Sequence, residues 1–304
     1  MEKFILENVR DFNLDHIFDC GQCFRWKKEI DGSYTGTAFG KVVNMDFEYE
    51  EGSDNRGRLI INGATKEDFD DIWKDYLDLD RDYGKIKHAL AEKDEIIAGA
   101  IEKGRGIRIL KQDLWETIVS FIISQNNNIP RIKGCIEKLS KLLGTPAENC
   151  IEGYDIAKKC AKDDESFGKE ITSEKEAFYN IPSAEVLASL TIEDLAEVRL
   201  GYRAKYLIES AKTVVENGLP TNYDELCNLT GVGPKVANCI SLFGLGNMDS
   251  FPVDVWVKRV MNRLYGLEEK NVKAIMQFAE ENFADLGGIA QQYLFYYIRE
   301  TDKE

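Results

Sequence analysis

A chain of 304 residues is long enough for two or three packed units with a sizeable core. Hydrophobic residues make up 43% of it and charged residues 31%, the balance of an ordinary globular protein, which excludes disordered and fibrous classes. The formal net charge of −15 would exclude a polyanionic partner only if the acid were evenly spread.

The opening MEKFILENVRDFNLDHIF mixes acid and base and fits neither a signal peptide nor a transit peptide. No apolar run is long enough to span a bilayer. Seven scattered cysteines, an odd number, predict reduced thiols in a cytoplasmic protein, nucleoid-associated if prokaryotic. Between 32 and 64, short β-branched and aromatic runs alternate with Gly, Asn and Asp, which predicts antiparallel strands joined by tight turns. From Thr65 the pattern turns helical, beginning with the capping-box pair Thr65 and Asp68 before FDDIWKDYL.

The run DLWETIVSFIIS predicts a helix with Leu114, Ile118, Phe121 and Ile122 on one stripe and Asp113 and Glu116 in its first turn. Further helices are expected over 131–143, 183–198, 203–217, 255–264, 268–282 and 287–299. The polar stretch 144–175 is weakly patterned and reads as loops. Charge is segregated along this region. Residues 105–145 carry seven Lys or Arg against three acids (+4), and 199–214 carry four against one (+3). Residues 146–198 hold thirteen acids and five lysines (−8), so a polyanion still finds basic segments on which to dock. The expected fold class is α+β: an N-terminal antiparallel β domain over 1–80 and a helical region over 81–304.

Residues 222–229, NYDELCNL, read as a short helix capped by Asn222 with Glu225 at capping-box distance. Leu229-Thr230-Gly231-Val232-Gly233 then turns, and Pro234 suits the first position of a second helix. This is a helix–hairpin–helix, spanning 222–244. Its two glycines let the backbone approach another molecule closely, and the free N–H groups of the second helix can hold a phosphate oxygen. The same turn also occurs in all-α proteins with no such ligand.

Lys235 lies in the first turn of that helix. It reads either as a phosphate clamp or surface cation, or as a nucleophile. The positive end of the helix dipole disfavours an ammonium there, and with burial this predicts a lowered pKa and a neutral amine. Lys235, Cys239 and Leu242 share one face, while Val236, Ile240 and Phe243 form the core-facing stripe. Asp254, nineteen residues on in FPVDVWVKRV, suits the N-cap of the next helix, or a carboxylate aimed at positive charge developing beside Lys235. The pair Cys20 and Cys23, as a bare motif, would suit thiol redox chemistry or half a zinc site.

LTGVGPKVANCISLF followed by FPVDV resembles the helix–hairpin–helix–Gly/Pro–Asp superfamily of DNA glycosylases, and within it the 8-oxoguanine DNA glycosylase/lyase family. CGQCFRW (20–26), SFIISQNNNIPRI (120–132), LGYRAKYL (200–207) and GIAQQYLF (288–295) match further motifs of that family in order, so the resemblance covers almost the whole chain. It implies a bifunctional glycosylase and abasic-site lyase that excises 8-oxoguanine opposite cytosine from flipped-out nucleotides in base excision repair. Lys235 would attack the sugar C1′ and form a Schiff base, with Asp254 stabilising the cationic sugar. Gly21 would accept from the N7–H that distinguishes the lesion from guanine, Gln291 would read the Watson–Crick edge, and Cys239 and Phe295 would sandwich the base. In isolation, these three read as a turn glycine (Gly21), a solvated helix residue (Gln291) and a core aromatic (Phe295).

The resemblance further implies that Asn126, Arg131 and Arg203 hold the widowed cytosine while Tyr202 wedges into the gap. Gly231, Gly233 and Val236 would meet DNA phosphate. The carbonyls of Cys227, Leu229 and Val232 would hold a structural monovalent or calcium ion. No cofactor is needed for catalysis, and with no cysteine after Cys239 the four-cysteine iron–sulfur cluster of endonuclease III and the adenine glycosylases is absent. The expected partner is double-stranded DNA containing oxidised guanine, with no membrane and a monomeric enzyme. Two departures stand out. Trp256 occupies the place of a histidine in eukaryotic members, and Pro130 precedes Arg131. The alternatives are another glycosylase of the superfamily (alkylpurine or adenine), a non-catalytic helix–hairpin–helix DNA-binding protein, and a thiol oxidoreductase using Cys20 and Cys23.

Overall fold

The computed structural model describes residues 2–151 and 177–302. Of the loops expected at 144–175, the portion from 152 lies outside the described residues. Five strands, β1 (Lys3–Arg10), β2 (Trp26–Lys28), β3 (Tyr34–Ala38), β4 (Lys41–Tyr49) and β5 (Arg56–Asn62), form a sheet in the order β1-β5-β4-β3-β2. All neighbours on this path are antiparallel, and a two-residue strand β6 (Glu148–Asn149) adds parallel to β4. The β3–β4 hairpin closes on Phe39 and Gly40, both at positive φ (50° and 80°), so Ala38 pairs directly with Lys41. That geometry matches the right-handed twist of the flanking strands. β1 was not singled out in the sequence, because its alternation breaks at a bulge where Asn8 takes φ 58°.

The period of two places Tyr34, Val43, Met45, Phe47, Leu59 and Ile61 on one face of the sheet, all buried. They pack on Phe18, Trp26, Trp73 and Tyr76 in a core of their own. Trp26 Nε1 donates to the Tyr76 hydroxyl at 2.6 Å, so these two polar tips satisfy one another, while Trp73 Nε1 is buried with no partner among the described residues.

A second core belongs to the helices. At its centre is the Leu114–Ser124 helix, with Asp113 as N-cap accepting from the Glu116 N–H at 2.8 Å. Residues 117–123 are buried all round, so this helix is enclosed rather than striped, and the expected stripe captures only part of its buried surface. Each fully buried aliphatic side chain there contributes about 1.5–3 kcal/mol. Residues 107–110 join the two cores: Ile107 and Ile109 enter the helical one and Leu110 the other.

The remaining helices include Ile129–Leu143, Arg203–Asn217, Tyr223–Cys227, Pro234–Phe243, Val255–Tyr265, Val272–Phe283 and Gly287–Thr301. The helix expected over 183–198 is instead Ala184–Ala188 followed by a 3-10 turn, Glu193–Val198. Thr191 and Asp194 exchange side-chain-to-backbone hydrogen bonds there and start a new turn. The helix expected from 268 begins at Val272, because Asn271 accepts from the Ala274 N–H at 3.1 Å and caps it. Tyr83–Ala91 and Glu95–Lys103, capped by Asp82 and Asp94, were not singled out. No helix among the described residues is long and apolar enough to cross a membrane.

Candidate active site

The hairpin forms where the sequence placed it. Asn222 accepts from Glu225 N–H at 3.0 Å to cap the Tyr223–Cys227 helix, while the Glu225 carboxylate reaches the Thr221 N–H at 2.7 Å rather than that of Asn222. The two glycines do different jobs. Gly231 has φ +80°, and a Cβ there would lie 2.2 Å from the Tyr206 ring, so this glycine is required by packing inside the protein. Gly233 is exposed with open space around it, and leaves the start of the Pro234–Phe243 helix accessible. Pro234 has no N–H, so the N–H groups of Lys235 and Val236 are those the helix geometry leaves without an intrahelical acceptor. Val236 itself is buried, its side chain packed in the helical core. Ser210 Oγ donates to the Thr230 carbonyl at 3.1 Å and fastens the turn to the Arg203–Asn217 helix.

Lys235 is half-buried, with Nζ 5.6 Å from the centroid of the Phe121 ring, and that ring stacks on Phe243 at 5.5 Å. Burial lowers the Lys235 pKa, but Cys239 and Asp254 raise it more, and the net direction is upward. This runs opposite to the lowered pKa expected from the sequence: burial is outweighed by Cys239 and Asp254. Burial pushes the Cys239 thiol up against the opposing pull of Lys235, and pushes the Asp254 carboxyl up against the Val257 N–H and Lys235. Asp254 caps its helix as expected, accepting from the Val257 N–H at 2.8 Å.

One pocket collects residues from four distant stretches: Gly21, then Lys235 with Cys239, then Asp254, then Gln291 with Phe295. Gly21 sits at φ +82°, a conformation that favours glycine, and a Cβ there would touch the Phe295 ring at 3.4 Å. Gln291 is 4% exposed, and its Oε1 is a buried acceptor with no partner among the described residues. A solvated helix glutamine would show neither property. A buried unpaired amide aimed into a pocket suits a hydrogen-bonding ligand.

A second group lies apart from this pocket. Asn126, exposed at φ +46°, ends the loop before the Ile129–Leu143 helix. Its neighbours close the two helix ends: Asn127 Nδ2 donates to Ile123 O at 3.1 Å and Asn128 caps the next helix. Arg131 is exposed and reaches the Arg199 carbonyl at 3.4 Å, Pro130 being absorbed into the first turn of its helix. Tyr202 is 49% exposed, and the guanidinium of buried Arg203 lies 4.6 Å from its ring centroid. The structure therefore brings together Asn126, Arg131, Tyr202 and Arg203.

Residues 4–118 match the 8-oxoguanine DNA glycosylase N-terminal domain, and residues 119–285 match the HhH-GPD superfamily of base excision DNA repair proteins. The structure of MBOgg1 in complex with a low-affinity DNA ligand is 42% identical, covers 99% of this chain and 96% of that one, and superposes with a TM-score of 0.84. The chain belongs to the 8-oxoguanine DNA glycosylase/lyase family. The 8-oxoguanine glycosylase/lyase of Clostridium acetobutylicum, in complex with double-stranded DNA containing cytosine opposite 8-oxoguanine, is 36% identical over 98% of both chains with a TM-score of 0.83. A probable N-glycosylase/DNA lyase of Methanothermobacter thermautotrophicus is 27% identical over 69% of each chain.

Several pocket residues of this glycosylase/lyase family member escaped the sequence reading. Phe121 had been read only as part of a helix stripe, and Pro252, Phe243 and Gln292 were not assigned to the site. Trp256 is half-buried with the Arg259 guanidinium 4.8 Å from its ring centroid. The oxidoreductase alternative finds no support. Cys20 and Cys23 are buried, burial pushes both thiols up, and each Sγ donates to a nearby main-chain carbonyl (Ile17 and Phe18).

Proposed function

We propose that this protein is a bifunctional DNA glycosylase/lyase that removes 8-oxoguanine opposite cytosine from duplex DNA. One observation carries the reading: Lys235 and Asp254 line the same pocket as Gly21, Cys239, Gln291 and Phe295. A nucleophile–carboxylate pair and a set of base-sized recognition elements meet in one place. A non-catalytic DNA-binding module has no use for that combination. Family membership and the Lys235 amine together favour a lyase over a monofunctional alkylpurine or adenine enzyme.

Once deprotonated, the Lys235 amine attacks C1′ of the flipped nucleotide. The C1′–N9 bond breaks, its electron pair leaves with the base, and the Asp254 carboxylate stabilises positive charge on the sugar. Loss of a further proton from nitrogen and ring opening give the Schiff base. Removal of a C2′ proton then expels the 3′ phosphate by β-elimination. No redox partner or metal takes part in these steps.

In this reading the Gly21 carbonyl accepts from N7–H, which guanine lacks, and the wrong base leaves that acceptor unpaired. Gln291 offers its orphaned Oε1 to the Watson–Crick edge, with Cys239 and Phe295 on the two faces of the ring. Asn126 and Arg131 meet the widowed cytosine and Tyr202 fills the gap; Arg203, expected on the cytosine as well, is buried with its guanidinium on the Gln125, Asn126 and Leu200 carbonyls and so stands behind them. Phosphate binds at Gly231, Gly233 and the Val236 N–H. The Cys227, Leu229 and Val232 carbonyls are hard oxygen donors that suit a monovalent or calcium ion, although Leu229 O already accepts from Val232 N–H at 3.1 Å.

The test is borohydride trapping on a duplex with one 8-oxoguanine opposite cytosine, comparing wild type with Lys235→Gln. A covalent adduct is expected in the wild type alone. Strand cutting without trapping, or no preference over undamaged duplex, would overturn the reading.

A further inference from the structure

The segment carrying Gly21 is held by three glutamine amides. Gln292 Nε2 donates to the Cys20 carbonyl at 2.8 Å. Gln112 Nε2 donates to the Gln22 carbonyl at 2.7 Å. The Gln22 side chain turns inward, donating to Ile17 O and Arg108 O at 2.8 Å each and accepting from the Leu110 N–H at 2.9 Å. Gln22 and Gln292 are at most 3% exposed, so these bonds form away from water.

The pattern of occupancy is informative. The carbonyls on both sides of Gly21 are engaged by side-chain amides, while no hydrogen bond among the described residues engages the Gly21 carbonyl itself. A loop whose every acceptor was open would offer three competing carbonyls and could rotate its peptide planes. Here two planes are fixed, and the third lies between them at a φ that glycine alone adopts readily. Gln112 adds a link to the nucleophile: its own N–H donates to the Phe243 carbonyl at 2.9 Å, at the end of the helix that carries Lys235 in its first turn. Gln292 lies next to Gln291 on the C-terminal helix, so one helix carries a base-facing amide and a loop-facing one.

We infer that Gln292 and Gln112 are positioning residues for lesion specificity, which hold the peptides flanking Gly21 so that its carbonyl is presented to the N7–H of an oxidised purine. The inference rests on the reading of Gly21 given above. Neither glutamine needs to touch the base. Their contribution is to selectivity and to excision of the lesion, not to cleavage of a site from which the base is already gone.

That distinction supplies the test. Gln292→Met keeps much of the side-chain volume and removes the donor, and Gln112→Met does the same on the other side. Three single-turnover rates would be compared with wild type: excision of 8-oxoguanine opposite cytosine, excision of guanine opposite cytosine, and cleavage of a preformed abasic site. The unpaired buried carbonyl predicts a fall in 8-oxoguanine excision of about 10- to 100-fold in Gln292→Met, with abasic-site cleavage by the same sample changing less than about threefold. The preference for 8-oxoguanine over guanine shrinks accordingly. Excision and abasic-site cleavage falling together would mean a merely structural role and overturn the inference, as would excision unchanged in both variants. A wild-type enzyme that cleaves abasic sites but ignores 8-oxoguanine would instead overturn the reading of Gly21, independently of the glutamines.

Discussion

The guanidinium of Arg203 grips the backbone on which Asn126 stands. Nε donates to the Gln125 carbonyl at 2.8 Å, Nη2 to the Asn126 carbonyl at 2.9 Å, and Nη1 to the Leu200 carbonyl at 3.1 Å. At 5% exposure, Arg203 fixes the loop in which Asn126 holds its left-handed conformation. Replacing Arg203 with Ala leaves the Asn126 carbonyl without a partner, and Gln125 O and Leu200 O with only long bonds from the Tyr202 hydroxyl and the residue 203 N–H, and is expected to cost about 2–3 kcal/mol of stability. Arg203→Lys, a point charge without the planar fork, falls between the two. Urea denaturation decides the matter, and an unchanged midpoint for Arg203→Ala would remove Arg203 from this role. The same variants should lose preference for cytosine opposite the lesion, read by comparing excision rates across the four opposite bases.

Asp254 caps a helix and, in the proposed mechanism, also stabilises the sugar cation; one substitution separates the two. Asn is as good an N-cap as Asp, so Asp254→Asn should keep the bond to the Val257 N–H and change stability by less than about 1 kcal/mol. Loss of the carboxylate should lower the excision rate by at least about a hundredfold, the scale of a lost electrostatic contact in the transition state. A variant that melts normally and excises normally would reduce Asp254 to a helix cap.

The pH dependence follows from the neighbours of Lys235. Its net upward shift makes the ammonium the resting form at neutral pH, so the nucleophile must first lose a proton. For kcat/KM, which reports the free enzyme, a rise of about tenfold per unit is expected from pH 6 towards pH 9. A plateau below neutrality would show a depressed amine instead. Stability has its own signs. The Lys235 contribution is complete below the ordinary lysine pKa and is lost as pH rises through the higher folded value. Asp254 also shifts upward, so the fold holds its proton more tightly than the unfolded chain does, and stability declines as pH rises from 3.8 through the folded value.

Gly21→Ala should harm recognition before it harms the fold. The residue is half-exposed, and its added methyl would meet Phe295 at 3.4 Å, a contact that is tight but tolerable. The left-handed backbone at φ +82° adds about 1–2 kcal/mol of strain, which the loop relieves by rotating the peptide. The expected result is a protein with a slightly lower melting temperature, weak excision of 8-oxoguanine and retained cleavage of abasic sites. Full excision by Gly21→Ala would show that the carbonyl at this position does not read the base.

What the sequence made legible was mostly local. The Asn222 cap, the Gly-Val-Gly-Pro turn and the Asp254 cap are determined within a few residues of each other, and each formed where the pattern placed it. Gly231 shows the limit of that reading. Its spacing pointed to a ligand, but its neighbour in space is Tyr206, which the sequence cannot place beside it. The direction of the Lys235 shift was misjudged for the same reason: the helix dipole is readable from position in the chain, whereas Cys239 and Asp254 act through a tertiary arrangement. Gln292 was adjacent to an assigned residue and still missed, since which face of the C-terminal helix meets residues 19–22 depends on packing. The break at 189–192 was readable in principle from Thr191 and Asp194, but an apolar pattern continuing across it hid the signal.

Arg299 and Gln292 tie the last helix to the carbonyls of Asp19 and Cys20, so the end of the chain closes over its beginning. In the reading proposed above, Lys235 and Asp254 are translated before the helix that bears Gln291 and Phe295, whose Ile289, Tyr293 and Leu294 belong to the helical core. In that reading, the helix that judges the base is also one that the helical core needs, so recognition of damage and a folded cutting site come together.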